Sequence, residues 1–168
     1  MREFSLVQEI EATVDEYWRT FFSPEFERGI VTALGFRSYE TVEQTDTDTG
    51  FNRTTRAVPK IDAPRPVAKL LGSSFGYVEK GTFDHATQTW RTRIIPNTFS
   101  GRMFCDAVMR AESTSDGACV RTLEFHVEAN ILGIGGMMES TFENQLRTGW
   151  RDSAAFLNEF LRRARAAG

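Results

Sequence analysis

Histidine and cysteine, two residues that often carry chemistry, are scarce in this chain, which has 2 of each among 168 residues. His126 lies between Glu124 and Glu128 at a position where strand alternation predicts an outward side chain, and His85 lies in a predicted turn. A histidine-dependent nucleophilic centre therefore lacks its base, and no histidine pair has the spacing of a zinc site. We expect no metal and no cofactor.

The two cysteines are not expected to form a disulfide. Cys105 and Cys119 are predicted to lie on the two strands of one hairpin that turns near 115–116. In that register they lie about 20 Å apart along the ladder, whereas a disulfide needs Cα atoms within about 7 Å. Free thiols indicate a reducing compartment, so we expect the protein to be cytoplasmic.

An excess of positive charge and long apolar runs are also missing. With 20 basic and 23 acidic residues the net charge is -3, which argues against nucleic acid as a partner. No apolar run approaches the roughly 20 residues of a membrane-spanning helix, and the N-terminus does not have the pattern of a secretory signal. The length predicts a single domain over residues 1–168. Aromatic residues are abundant, with 14 Phe and 3 Trp.

The order of predicted elements is a strand, two short helices, six strands and a long helix. The first strand covers 4–10, and Thr13 with Glu16 predicts a capping box that opens the first helix. Ser23 and Pro24 start the second helix, which Gly35 ends. The six strands form three hairpins, pairing 37–45 with 51–58, 75–83 with 89–95, and 102–111 with 119–129.

The longest predicted element is a C-terminal helix of roughly 30 residues, or about 45 Å. It follows the glycine-rich break at 133–136, and its apolar positions recur at spacings of three and four: Met138, Phe142, Leu146, Trp150, Ala154, Leu157, Leu161 and Ala164. A second unusual segment, 59–72, combines three prolines with an apolar helical turn that Gly72 ends. Such a long crossover is typical of a lid or of a loop that lines the entrance of a cavity.

The sequence resembles the START-like (SRPBCC) superfamily in its element order and in the stretches 14–18 and 23–26. Within that group, the run 64–72 together with 133–139 is similar to the bacterial DUF2505 family. The same run followed by Tyr77-Val78-Glu79 resembles, more weakly, the lid and next strand of PRELI-type phospholipid-transfer domains. The resemblance implies an α+β helix-grip fold (β-α-α-β6-α), in which a curved antiparallel sheet surrounds the C-terminal helix and leaves an apolar cavity.

The implied function is noncatalytic binding, and also transfer, of a hydrophobic small molecule such as a lipid, with transient contact at a membrane surface. Met137 and other bulky residues of the long helix suit either a cavity wall or an ordinary core. The residues expected to bind the ligand lie on inward strand faces, on the long helix and on the lid: Tyr77, Glu79, Arg121, Phe125, Met138, Phe142, Trp150 and Leu70.

Two features of this prediction leave alternatives open. Arg121 and Glu79 either pair with each other or fix a polar head of the ligand, unless Arg121 reaches solvent from the start of its strand. The same cavity also suits an enzyme of the polyketide cyclase/aromatase type, in which Glu79, Tyr77 and Arg121 move protons. A third function, binding of a protein partner, predicts a filled core and an exposed apolar patch.

Overall fold

The computed structural model describes all residues from 1 to 168 and has seven strands and four helices. The elements are β1 (Arg2–Ile10), α1 (Val14–Phe21), α2 (Pro24–Leu34), β2 (Ser38–Asp46), β3 (Gly50–Val58), α3 (Arg65–Leu71), β4 (Tyr77–Asp84), β5 (Thr89–Pro96), β6 (Met103–Ser115), β7 (Ala118–Ala129) and α4 (Gly135–Ala167). The predicted order is confirmed, and the apolar turn after the prolines is the short helix α3.

The strands form one antiparallel sheet in the order β1-β7-β6-β5-β4-β3-β2. The three predicted hairpins are the pairs β2–β3, β4–β5 and β6–β7. The last hairpin turns more tightly than predicted, because β6 continues to Ser115. Cys105 therefore lies opposite Val127 and Cys119 opposite Ser113, one residue from the predicted register, and both cysteines are free.

The starts of α1 and α2 follow the capping pattern of the sequence. The Thr13 hydroxyl accepts a hydrogen bond from the Glu16 amide at 3.2 Å, and the Ser23 hydroxyl accepts one from the Phe26 amide at 3.2 Å. The second hydrogen bond of the predicted capping box, from the Thr13 amide to the Glu16 carboxylate, is not formed. The Glu16 carboxylate instead accepts a hydrogen bond from Arg165 at 3.0 Å, so it joins α1 to the end of α4.

The helix α4 runs 33 residues and packs against β1, β7 and α2. Its buried face includes Met138, Phe142, Leu157 and Leu161, as the apolar spacing predicts. Met137 does not share this face, because its side chain is 45% exposed, so it neither lines a cavity nor belongs to the core. No helix in the structure combines the length and the apolar composition that a membrane span requires.

Candidate ligand-binding cavity

A cavity of about 560 Å³ lies between α4 and the inward face of the sheet. Of its 32 lining residues 19 are hydrophobic, so most of its wall is apolar. The aromatic part of the lining comes from helices, strands and connecting loops: Phe21, Phe22, Phe26, Phe36, Tyr39, Phe75, Tyr77, Trp90, Phe142 and Trp150. This size and composition are typical of a site for a small organic molecule.

The floor of the cavity is formed by alternate residues of the central strands. Ile94, Cys105, Ala107 and Leu123 face it because side chains at every second strand position share one face. Burial raises the pKa of the Cys105 thiol to about 12, with a smaller contribution from Asp106, so this thiol stays protonated. The floor is therefore apolar and chemically inert.

Trp90 extends this floor because a glycine lies beneath it. A Cβ atom at Gly81 would lie 2.0 Å from the Trp90 indole. Only glycine, which has no Cβ atom, lets the indole pack directly on the backbone there. The side chain of Trp90 is 4% exposed. Gly81 thus fixes the position of one aromatic wall of the cavity.

One end of the cavity is polar. Thr55 and Glu79 are direct cross-strand neighbours on β3 and β4, and both line the cavity. Tyr39 and Tyr77 lie on opposite sides of Ala57, to which each is paired across the sheet. Ala57 itself is buried, and the two tyrosine side chains line the cavity together with Glu79.

Glu79 is the group in this polar end whose protonation is most altered. Burial raises the pKa of its carboxyl to about 7, and the positive charge of Arg53 opposes part of that rise. No ion pair and no hydrogen bond from the protein reaches the carboxyl. Its exposed surface faces the cavity, so Glu79 can exchange a proton or bind a charge there near neutral pH.

The phenol hydroxyls of Tyr39 and Tyr77 stay protonated near neutral pH. Burial raises the pKa of Tyr39 and of Tyr77 far above the ordinary range, and the nearby Glu79 carboxylate raises both further. Neither hydroxyl has a hydrogen-bond partner within the protein. Each therefore presents a neutral hydroxyl to the cavity, able both to donate and to accept a hydrogen bond.

Arg53, in contrast, is largely engaged by the protein. Its Nε donates to Gln44 at 3.0 Å and its Nη2 donates to the backbone oxygen of Phe22 at 3.1 Å. Its guanidinium also lies over the Phe22 ring, 4.9 Å from the centroid. Burial lowers the pKa of Arg53, although nearby carboxylates, first Glu27, oppose this effect.

The mouth of the cavity is marked by its exposed lining residues, Lys60, Asp62, Thr148 and Asp152. It opens between the 59–62 segment and α4. One hydrogen bond, from the Gln145 amide to the backbone oxygen of Asp62 at 2.7 Å, ties the two sides together. Only the first part of the predicted lid lines the cavity, because α3 buries Val67 and Leu71 in the core.

The structure places the eight sequence-predicted residues in two groups. Tyr77, Glu79, Phe142 and Trp150 line the cavity. The other four lie outside its lining. Phe125 stacks on Phe4 with centroids 4.9 Å apart, Met138 is fully buried, Leu70 is 41% exposed, and Arg121 is enclosed behind Trp150.

Two of the three alternatives left open for Arg121, an ion pair with Glu79 and a position in solvent, are not found. Arg121 is 0% exposed, so it does not reach solvent, and it forms no ion pair with Glu79. Its Nε donates to the Gln8 side-chain oxygen at 2.8 Å and its guanidinium lies 4.9 Å from the Trp150 ring centroid. The Gln8 amide in turn donates to the Trp150 backbone oxygen at 2.8 Å. Arg121 thus packs against Trp150 on the side away from the cavity, and it has no carboxylate partner.

Sequence reasoning missed the residues of β2 and β3 that complete the polar end, namely Tyr39, Arg53 and Thr55. The alternation of β3 could have identified Arg53 and Thr55, because Phe51 and Ala57 mark the inward face and these two polar residues lie at the alternate positions between them.

Comparisons with known proteins identify the family and the fold. The family model described as "Protein of unknown function (DUF2505)" matches residues 5–161. No curated protein shows significant sequence similarity to the chain. The solved structure of the protein TTHA0849 from Thermus thermophilus matches with a TM-score of 0.69 and 13% identity, covering 97% of this chain and 99% of that one.

Two further solved structures bear on the fold. The Zhui aromatase/cyclase from a Streptomyces species matches with a TM-score of 0.64 and 17% identity, covering 99% of this chain and 98% of that chain. A START superfamily protein from Mycobacterium smegmatis matches with a TM-score of 0.62 and 11% identity, covering 95% and 98%. At these identities the likeness establishes a common fold, the helix-grip fold of the START-like superfamily.

Proposed function

Because the chain belongs to the DUF2505 family and has the START-like fold, we propose that it binds a hydrophobic small molecule in its internal cavity. The observation that carries this proposal is the cavity of about 560 Å³ with a mostly hydrophobic lining. A ligand that buries about 300 Å² of apolar surface there gains about 7 kcal/mol before the cost of association. Its polar group would lie at the Glu79 end, where the side-chain oxygens of Glu79, Tyr39 and Tyr77 have no partner within the protein.

The ligand that fits this description is lipid-like, with a large apolar body and one polar group. Transfer would require the mouth to open, and the single hydrogen bond between Gln145 and Asp62 is the connection that must break. The protein-partner alternative predicts a filled core, so the cavity favours ligand binding over it.

Native mass spectrometry of the purified protein, followed by solvent extraction, tests the proposal. We expect a bound molecule whose occupancy falls in Ala107→Trp, because the indole would fill the floor of the cavity. Val108→Trp is the matched control, since residue 108 lies on the same strand and faces the opposite side of the sheet. Equal occupancy in both variants, or a wild-type protein that stays free of ligand in a lipid extract, would overturn the proposal.

An acid–base enzyme is the second candidate, and one observation favours it. The Glu79 carboxyl has a pKa of about 7 and lies in the same cavity as the protonated hydroxyls of Tyr39 and Tyr77. The Streptomyces relative is itself named an aromatase/cyclase. An enzyme predicts that Glu79→Gln co-purifies with unconverted substrate, so its extracted ligand would differ in mass from that of the wild type. A carrier predicts the same mass for both.

A further inference from the structure

The charges that line the cavity are predominantly negative. Four carboxylates contribute to the lining, and only two basic side chains do so; the set is Glu27, Asp62, Glu79, Asp152, Arg53 and Lys60. The remaining lining residues are apolar or neutral. Three of these six, Asp62, Asp152 and Lys60, are exposed at the mouth, where water screens them. The interior therefore holds two carboxylates against one guanidinium, among apolar walls where charges are poorly screened.

The carboxylates differ in the hydrogen bonds and ion pairs that they already form within the protein. Glu27 accepts hydrogen bonds from the Thr41 amide at 2.9 Å and from the Thr41 hydroxyl at 2.6 Å. Asp152 is paired with Arg151 at 3.1 Å. Glu79 is half-buried and has neither an ion pair nor a hydrogen bond. It is the one interior carboxylate with its full binding capacity left for a ligand.

The surroundings of Glu79 also suit a cation rather than an anion. The hydroxyl oxygens of Tyr39 and Tyr77 can accept hydrogen bonds from an N–H donor. The rings of Phe21, Phe75 and Trp150 line other parts of the same cavity, and aromatic faces attract ammonium groups. An anion would meet Arg53, but two of that residue's nitrogens already donate to the protein.

We propose that the ligand of this cavity is an apolar molecule with a cationic amine or ammonium group, which binds Glu79 beside Tyr39 and Tyr77. This inference rests on the proposed function, since it names the class of molecule that the cavity takes. The apolar body would lie against the floor and α4, and the charged group would lie at the polar end. Glu79 is the binding residue that sets the preference for positive charge.

This proposal makes binding depend on pH through the groups that face Glu79. They are Arg53 on β3, Tyr39 on β2, Tyr77 on β4 and Cys105 on β6. The tyrosines and the thiol stay protonated and Arg53 stays charged, so Glu79 alone changes its charge near neutrality. A cationic ligand binds more tightly once Glu79 has lost its proton, hence more tightly above about pH 7.

The test uses three fluorescent probes with one apolar body and different polar groups: 1-pyrenemethylamine, 1-pyrenemethanol and 1-pyrenecarboxylic acid. Dissociation constants are measured by fluorescence titration at about pH 6 and about pH 8. We expect the amine to bind roughly tenfold more tightly than the alcohol at the higher pH. We also expect that advantage to shrink at the lower pH, while the amine itself stays protonated throughout.

Glu79→Gln should lower the affinity for the amine to that of the alcohol in the same variant, so that the preference for the charged probe disappears. Glu112→Gln, which removes an exposed carboxylate from β6, is the control and should change neither. The pH dependence of the wild type tests the proposal even where a variant fails to fold.

The outcomes separate the inference from the function on which it rests. Equal binding of amine and alcohol, or tightest binding of the acid, would overturn the charge preference and leave the hydrophobic site standing. Failure of all three probes to bind, together with a ligand-free purified protein, would overturn both.

Discussion

Replacing Glu79 by glutamine should make the protein more stable at alkaline pH, although the substitution removes a charge from its candidate site. The folded state holds this carboxyl in an apolar cavity without a partner, and burial raises its pKa to about 7. The unfolded chain exposes the carboxyl to water, where its pKa is about 4.3. At a pH between these two pKa values, more of the folded protein than of the unfolded protein carries the proton of Glu79.

The sign and size of the effect follow from this difference. Because the folded state carries more protons between about pH 4.3 and about pH 7, the contribution of Glu79 to stability falls as the pH rises through that window. One pH unit corresponds to about 1.4 kcal/mol and the two pKa values differ by about 2.7, so the loss approaches about 4 kcal/mol above pH 7. Glutamine has the same shape and never ionises, so Glu79→Gln avoids this loss.

Urea unfolding of the wild type and of Glu79→Gln measures the effect at about pH 5 and about pH 8.5. We expect the variant to gain no more than about 1 kcal/mol at the lower pH and about 3 to 4 kcal/mol at the higher pH. Glu112→Gln, at an exposed position, should gain nothing at either. If Glu79→Gln gains equally at both pH values, or loses stability at the higher one, the carboxyl is not a desolvated and unpartnered group.

Three further substitutions test other parts of the structure. Arg121→Met should destabilise the protein by about 1 to 3 kcal/mol in urea unfolding, because it leaves the Gln8 oxygen without its donor. Gly149→Ala should raise the free energy of unfolding by about 0.5 to 1 kcal/mol, since alanine favours the helix and its Cβ meets no atom within 4 Å; a loss would show that the helix needs glycine there. Gly81→Ala should cost about 1 to 3 kcal/mol and shift the tryptophan fluorescence, because its Cβ collides with Trp90; an unchanged spectrum and stability would contradict that packing.

The sequence predicts the elements of this fold well because periodic patterns decide them locally. The spacing of Met138, Phe142 and Leu157 predicts the buried face of α4, and the Ser23-Pro24 pair predicts the start of α2. These signals depend on neighbours within one element, so they need no knowledge of how elements meet. The last hairpin differs from its predicted register by one residue, because its turn is shorter than the polar run between the two strands suggests.

The site was predicted less completely because it depends on distances between strands. Arg121 and Glu79 both lie on inward faces, as the alternation indicates, but β6 and β5 separate their strands. Tyr39 and Arg53 come close to Glu79 only through the pairing of β2, β3 and β4. A single sequence indicates which face a residue occupies and does not indicate which residues across the sheet share its surroundings.

Methyl NMR spectroscopy of the protein with saturating 1-pyrenemethanol tests most directly whether the cavity holds an apolar ligand. The ring currents of pyrene should shift the methyl resonances of Ala107, Met109 and Leu123, which line the floor. Those of Val108 and Val78, which lie on the other face of the sheet, should not move. Shifts confined to the outer face, or no shifts at saturation, would contradict a ligand-binding cavity.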